Sequence, residues 1–213
     1  FSGVEVAAEL NDFVREIARN YRGIDPKEVR VVLIHSQERI LPELPEDLAL
    51  FAQKILMKRG VEIMLNARLE AATGEEAILK GGEKIPTRTL VSTVPSSPHP
   101  IIEGLDLPKG KNGRVITNGF LEVEGAEGIW AVGDCGQVPT KDGTPSPPTA
   151  QYATPQAKVA ATNMLAKMRG GDKKTFAFNE LGKMGALGHR SAVAQILGIK
   201  FSGFIAWWIW RTI

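Results

Sequence analysis

Cysteine is almost absent from this chain of 213 residues, which contains only Cys135. A single cysteine excludes an internal disulfide framework and is typical of a protein from a reducing compartment. It also excludes a redox-active cysteine pair within the chain. His99 and His189 have no metal-like neighbours in the sequence, so no metal site is predicted.

A hydrophobic run long enough to cross a bilayer is also lacking. The most apolar segment, residues 201–211, contains three of the four tryptophans. It is about half as long as the roughly 20 apolar residues that a membrane-spanning helix requires. Tryptophan favours the membrane interface, but an ordinary buried helix would have the same composition. Composition alone leaves both alternatives open.

Acidic residues are scarce towards the end of the chain. Residues 151–213 contain nine Lys and Arg but only two Asp and Glu, within a chain whose net charge is +2. A basic segment of this kind suits nucleic acid or an anionic membrane surface. No nucleic-acid-binding motif accompanies the charge, so nucleic acid is not expected as a partner.

Helix and strand patterns alternate over residues 1–66. Apolar residues repeat with a period of 3.6 in residues 3–20, and a run of β-branched residues follows at residues 29–34. A second helix is predicted at residues 45–59 and a second strand at residues 61–65. This order predicts an α/β fold with a parallel sheet.

Short alternating runs separated by glycines occupy residues 68–94. They predict an antiparallel β-meander that crosses over between strands of the parallel sheet. The last run, residues 89–94, is predicted to be the strand that returns to that sheet.

Two breaks divide the chain into three predicted parts. Residues 95–100 contain three prolines and predict a hinge. Two adjacent glycines after residue 169 mark the second break. The predicted parts are residues 1–98, residues 99–169 and residues 170–213.

A Gly-Asp motif ends the segment of residues 113–134. A polar hairpin leads to an apolar strand at residues 129–132, and Gly133 and Asp134 follow at its carboxyl end. Ligands bind at this end of strands in α/β sheets. Glycine allows the backbone to approach a ligand closely, and the aspartate can accept hydrogen bonds from hydroxyl groups. The segment resembles the second flavin motif of flavoproteins built from two dinucleotide-binding domains, in which this aspartate holds the ribityl chain of FAD.

A helix start follows at Thr149, Ala150 and Gln151, after two prolines. Its free N–H groups and positive dipole end would suit a reduced flavin, which carries negative charge on its ring. The order of GDC and then AQxAxxQ resembles the type II NADH dehydrogenases, which are single-chain NADH:quinone oxidoreductases of the membrane surface. The resemblance implies that Ala150 and Gln151 lie beside the flavin ring at the quinone site. Pro155 stands where the family usually has a polar residue.

The first residues resemble the same family. Gly3 at a helix start is similar to the last glycine of G-x-G-x-x-G in the family's GGGFSGVE segment. We therefore expect this chain to be an internal piece of a longer protein, without the first FAD fingerprint. The resemblance implies that Glu5 faces the nicotinamide and the flavin. His35 follows the second predicted element, where a nucleotide-binding domain normally has an acidic residue for the ribose, and Glu38 lies three residues further on.

The resemblance implies an α/β flavoprotein with two Rossmann-like dinucleotide-binding domains. The first part of the chain would bind NAD(H), the second would belong to the FAD-binding domain, and the third would begin the membrane-attachment region. Hydride transfer from NADH to FAD would precede reduction of a membrane quinone, with Glu5 and Gln151 as the catalytic residues. The protein would lie peripherally on the cytoplasmic face of the cell membrane, and a homodimer is compatible with this arrangement.

Two alternatives stay open. A sulfide:quinone reductase shares the architecture, but such an enzyme needs several cysteines to carry sulfur and this chain has one. The isolated chain would alternatively act only as a nucleotide-binding or interaction module without activity of its own.

Overall fold

The computed structural model describes residues 1–25, 27–94 and 98–212. In chain order the helices are α1 (Ser2–Ala18), α2 (Glu46–Lys58), α3 (Pro100–Gly104), α4 (Ala150–Arg169) and α5 (Gly203–Thr212). The strands are β1 (Val31–Ile34), β2 (Val61–Met64), β3 (Leu69–Ala72), β4 (Glu76–Leu79), β5 (Lys84–Pro86), β6 (Val115–Ile116), β7 (Gly136–Gln137), β8 (Gly182–Ala186), β9 (Ala192–Ile196) and β10 (Ile199–Ser202). One turn of 3₁₀ helix, Gly133–Cys135, precedes β7.

The chain divides into two compact units, residues 1–94 with residues 181–213, and residues 95–180. The predicted breaks lay after residues 98 and 169. The assignment of the parts to NAD(H) binding, FAD binding and membrane attachment stays a prediction. Of the predicted hinge, residues 95–97 lie outside the described residues, and α3 begins at Pro100.

The first unit begins with the predicted order of helix, strand, helix and strand. Strands β1 and β2 pair in parallel, with Val31 opposite Val61. The apolar faces of α1 and α2 pack against these strands in one core cluster, which includes Ala8 and Leu56. Gly60 ends α2 with a φ of +86°, a conformation that glycine adopts without strain. The predicted parallel α/β pattern is therefore confirmed.

The meander is confirmed over β3, β4 and β5, which form an antiparallel sheet. The predicted returning strand at residues 89–94 is wrong, because no strand is formed there. The Thr87 hydroxyl donates to the Thr89 carbonyl at 2.9 Å and accepts from the Thr89 N–H at 3.2 Å. Such local side-chain bonds compete with strand pairing, and residues 89–94 have no neighbouring strand within the described chain.

Residues 182–202 add a third sheet to the first unit. Strands β8, β9 and β10 form an antiparallel meander that leads directly into α5. Val193 of β9 and Leu187, just after β8, share the core cluster of α1 and α2. These strands were not predicted from the sequence.

The second unit contains the Gly-Asp motif and α4. The predicted hairpin is present as antiparallel bridges, including one between Thr117 and Val123. The predicted strand at residues 129–132 is wrong, since only Trp130 forms an isolated bridge there. A run of four apolar residues forms a strand only where a neighbouring backbone pairs with it along its length. Helix α4 is confirmed, and Gly170 caps it in the left-handed conformation.

Candidate functional site

The Gly-Asp motif forms the tight turn at Gly133–Cys135. Gly133 is buried and adopts a φ of +62°, in the region that favours glycine. Asp134 is exposed, so its carboxylate is accessible to a ligand. The thiol of Cys135 donates to the Val132 carbonyl at 3.2 Å, which gives this side chain a local structural contact.

Helix α4 begins beside this turn. Thr149 is its N-cap residue in an extended conformation, and its carbonyl accepts from the Tyr152 and Ala153 N–H groups. The N–H groups of Ala150 and Gln151 precede these first helical bonds, and within the described residues they have no backbone partner, which leaves them available to a ligand. Thr149 and Ala150 are exposed, whereas Gln151 is half-buried.

The turn and the helix are in direct contact. A Cβ atom added to Gly133 would lie 3.3 Å from the Cβ atom of Ala153. The Gly133 N–H donates to the side-chain oxygen of Gln156 at 2.7 Å. The structure therefore brings together Gly133, Asp134 and the residues that begin α4, as the sequence predicted from separate motifs.

Gln156, the last residue of the AQxAxxQ motif, is a site residue to which the sequence alone assigned no role. Its side chain is fully buried, and its amide N–H₂ donates to the Ser146 hydroxyl at 2.9 Å. The polar residues Tyr152 and Asn163 lie four residues before and seven after it and are also buried. This helical spacing was the available sign that the polar face of α4 points inwards.

Arg114 is a second residue whose role was missed. It is 7% exposed, and its guanidinium donates to the carbonyls of Ser146 at 2.9 Å, Gly133 at 3.3 Å and Gly136. Burial lowers the pKa of Arg114, and the nearby carboxylate of Asp134 opposes this shift. A buried arginine needs several acceptors, but nothing in the local sequence identifies carbonyls as those acceptors.

Gly3 lies in the first turn of α1, in the other unit. A Cβ atom added there would lie 2.8 Å from the Thr93 hydroxyl oxygen and 3.8 Å from a methyl carbon of Leu33 in β1. The start of the helix thus approaches Thr93 too closely for a side chain, whereas the contact with β1 is an ordinary one. Close packing of helix and strand is what the third glycine of a dinucleotide fingerprint provides.

Glu5 lies one turn into α1, in the same unit. Its carboxylate accepts the Ala186 N–H at 2.9 Å and is thereby tied to the end of β8. The side chain is half-buried. The geometry fixes the position of the carboxylate, while its predicted catalytic role stays a prediction.

His35 directly follows β1. Its N–H donates to the Met64 carbonyl at 2.8 Å, which continues the pairing with β2. Within the described residues, its Nε2 atom is buried and has no hydrogen-bond partner. Glu38 is exposed. Of the two predicted ribose-binding residues, Glu38 is therefore the more exposed one.

Helix α5 presents apolar side chains to the surface. Phe204, Ile205 and Trp208 are 56%, 61% and 59% exposed. Trp207 and Trp210 pack instead against a core cluster that contains Ala192 of β9. In the part of the chain that the structure describes, no helix combines the length and the apolarity needed to cross a bilayer. The helix thus has one buried face and one exposed apolar face.

Comparison with known proteins gives the family. The model of the pyridine nucleotide-disulphide oxidoreductases matches residues 1–157. The chain belongs to this family. Its relatives include the type II NADH:quinone oxidoreductase NdhA of Mycobacterium tuberculosis, which is 34% identical over 98% of this chain and 46% of that protein. A probable NADH dehydrogenase of Dictyostelium discoideum is 29% identical over 99% of this chain and 47% of that protein.

The chain spans about half the length of the curated relatives it matches. Their names confirm the resemblance to type II NADH dehydrogenases that the motifs indicated.

Solved structures show the same fold. The NDH2 of Plasmodium falciparum in complex with NADH has a TM-score of 0.86 at 15% identity, covering 99% of this chain and 59% of that chain. The sulfide:quinone oxidoreductase of Aquifex aeolicus has a TM-score of 0.71 at 18% identity, covering 98% and 52%. These neighbours confirm the α/β class with Rossmann-like architecture.

Proposed function

We propose that the full-length protein containing this chain is an FAD-dependent NADH:quinone oxidoreductase. The observation that carries the proposal is the contact between the Gly133–Cys135 turn and the start of α4, in a chain whose relatives include a named type II NADH:quinone oxidoreductase. The turn supplies an accessible carboxylate and the helix supplies free N–H donors, which are the groups that a flavin needs from this part of a protein.

The residues of the second unit fit FAD. Asp134 would accept a hydrogen bond from a ribityl hydroxyl, since its carboxylate is exposed. Thr149, Ala150 and Gln151 would lie against the flavin ring, where the positive end of the α4 dipole stabilises negative charge. FAD supplies the redox chemistry when bound, accepting hydride from NADH and passing electrons to quinone, while the protein positions its ring and sets its electrostatic surroundings.

The residues of the first unit fit a nicotinamide dinucleotide. Gly3 allows the start of α1 to pack closely against Thr93 and to contact β1, and Glu38 presents an exposed carboxylate after β1. An acidic residue at this place accepts hydrogen bonds from a ribose 2′-hydroxyl. Glu5 is the proposed proton-handling residue, with its carboxylate oriented by the Ala186 N–H.

We also propose that the protein attaches peripherally to the cytoplasmic face of the cell membrane, where its quinone dissolves. Support comes from the exposed Phe204, Ile205 and Trp208 on α5, because tryptophan favours the interface and apolar side chains insert into it. Lys200, one of the basic residues of the segment 151–213, pairs with Asp47 at 2.9 Å. The homodimer stays a prediction, which light scattering of the full-length protein would test.

Electron-donor specificity tests the proposed function. The purified full-length protein should contain FAD and should reduce a short-chain quinone with NADH, but not with sulfide. Quinone reduction driven by sulfide would favour the sulfide:quinone reductase alternative. A protein without flavin that fails to oxidise NADH would contradict both.

A further inference from the structure

The loop that carries Asp134 is folded tightly back on itself. A Cβ atom added to Gly136 would lie 2.8 Å from the carbonyl carbon and oxygen of Ala131. The backbone on either side of Asp134 is therefore in contact. Asp134 itself is exposed, so its own side chain contributes little to holding this conformation.

Arg114 holds both ends of that loop. Its guanidinium donates to the Gly133 carbonyl, directly before Asp134, and to the Gly136 carbonyl, two residues after it. Arginine has a planar group with five donors in a fixed arrangement, so bonds to two carbonyls fix the distance between them. A flexible lysine cannot reproduce this geometry from one nitrogen.

The same guanidinium reaches the segment that leads into α4. It donates to the Ser146 carbonyl at 2.9 Å, and the Ser146 hydroxyl accepts from Gln156 at 2.9 Å. Gln156 in turn accepts the Gly133 N–H at 2.7 Å. The hydrogen bonds therefore form a closed ring through Arg114, Ser146, Gln156 and Gly133, all of which are buried.

A closed, buried ring of this kind has two consequences. Its members are shielded from water, so each bond resists exchange with solvent and the group remains rigid. The ring also connects the two elements that carry the proposed flavin contacts, Asp134 on the turn and Gln151 on α4. Breaking it at Arg114 releases three carbonyls at once.

We propose that Arg114 is a positioning residue for the flavin site, which holds the Asp134 turn against the start of α4 without touching the flavin. This inference rests on the proposed function, since it assigns the turn to FAD. FAD binding is then expected to depend on the planar arrangement of the guanidinium N–H donors of Arg114, and not on its positive charge alone.

The test compares Arg114→Met and Arg114→Lys in the full-length protein. Hydrogen–deuterium exchange of residues 132–137 in the FAD-free protein reports the turn directly, and titration with FAD gives Kd. Arg169→Met is the matched control, since Arg169 is exposed in the same unit. Lys173→Met controls for lost stability, because Lys173 belongs to a separate ion-pair cluster with Glu122.

Arg114→Met should speed exchange at residues 132–137 and raise the Kd for FAD at least about tenfold. For Arg114→Lys, the exchange at residues 132–137 and the Kd for FAD should lie between the values for Arg114→Met and the wild type. The visible circular dichroism of its bound flavin should differ from that of the wild type. Neither control should change exchange at the turn or the Kd. If Arg114→Met does not fold, the same measurements of exchange and Kd on Arg114→Lys test the role of Arg114.

Unchanged exchange at the turn, or faster exchange with an unchanged Kd, would overturn the role of Arg114 while leaving the proposed function intact. The role of Arg114 would also be overturned if Lys173→Met, at an equal loss of thermal stability, raised the Kd for FAD as much as Arg114→Met does. A wild-type protein that binds no FAD would instead contradict the proposed function itself.

Discussion

The Gly133 N–H donates to the side-chain oxygen of Gln156 at 2.7 Å, and both groups are buried. This bond fixes the turn that carries Asp134 independently of the Asp134 side chain. A substitution of Asp134 should therefore remove a carboxylate from the surface without moving the backbone around it. A change in FAD binding in an Asp134 variant should therefore report the loss of the carboxylate and not a movement of the turn.

Replacing Asp134 with Ala in the full-length protein should weaken FAD binding about ten- to a hundredfold. A hydrogen bond to a charged group contributes about 1.5–3 kcal/mol, and the ribityl hydroxyl loses that acceptor. Asp172→Ala, an exposed aspartate of the same unit, should leave the Kd unchanged. Equal Kd values for Asp134→Ala and the wild type would remove Asp134 from the flavin site.

Stability in acid should depend on Glu122. This carboxylate is 8% exposed and accepts from Lys167 and Lys173 and from the Gly128 N–H. These bonds lower the pKa of Glu122 from its ordinary value of 4.5 to about 2. Because its folded pKa is depressed, its contribution is complete above about pH 5 and is lost as the pH falls from about 4.5 towards 2.

That contribution should be measurable with Glu122→Gln. At neutral pH the variant should lose free energy of unfolding, by about 3 kcal/mol at most, and its stability should fall less between pH 5 and pH 3 than that of the wild type. Glu103→Gln, a change at an exposed glutamate of the same unit, provides the control. Parallel pH profiles for Glu122→Gln and the wild type would show that the ion pairs add no stability.

Substitution of Glu38 should change the preference for NADH over NADPH more than substitution of His35 does. Glu38 is exposed, whereas His35 Nε2 is buried. Glu38→Gln should narrow the ratio of kcat/KM for the two nucleotides, because a carboxylate repels a 2′-phosphate and a neutral amide does not. Exposed Glu43 supplies the control variant Glu43→Gln.

His35→Glu should sharpen the same preference if residue 35 faces the ribose, because a carboxylate accepts the ribose hydroxyls and repels a 2′-phosphate. If only His35→Glu changes the ratio, His35 rather than Glu38 faces the ribose.

Membrane attachment should depend on the exposed face of α5. Changing Ile205 and Trp208 to Ser should release the full-length protein from anionic liposomes, with NADH oxidation by a water-soluble acceptor retained. The control changes Phe13 and Leu50 to Ser, because these side chains are 58% and 52% exposed elsewhere in the same unit. If both double variants stay bound equally, α5 does not attach the protein.

The sequence predicted the elements whose order comes from local periodicity. α1, β1, α2 and β2 each have a clear helical or strand pattern, and Gly60 marks a helix end. The Gly133-Asp134 turn and the α4 start were predicted from motifs 15 residues or more apart, and the structure brings them together.

What the sequence did not predict depends on distant partners. Strands β8 to β10 contain glycines and lysines with weak alternation, and β9 is stabilised by packing against α1 and α2, which precede it by more than 100 residues. Residues 129–132 are apolar enough for a strand, but of these residues only Trp130 forms a bridge, to Glu122. The burial of Arg114 follows from tertiary contacts alone, whereas that of Gln156 was indicated only by its helical spacing from Tyr152 and Asn163.

The two half-reactions of the bound flavin test the central claim most directly. Anaerobic addition of NADH to the full-length protein should bleach the visible flavin absorbance, and a quinone added afterwards should restore it. Absorbance that NADH leaves unchanged, or that quinone does not restore once it is bleached, would contradict the assignment as an NADH:quinone oxidoreductase.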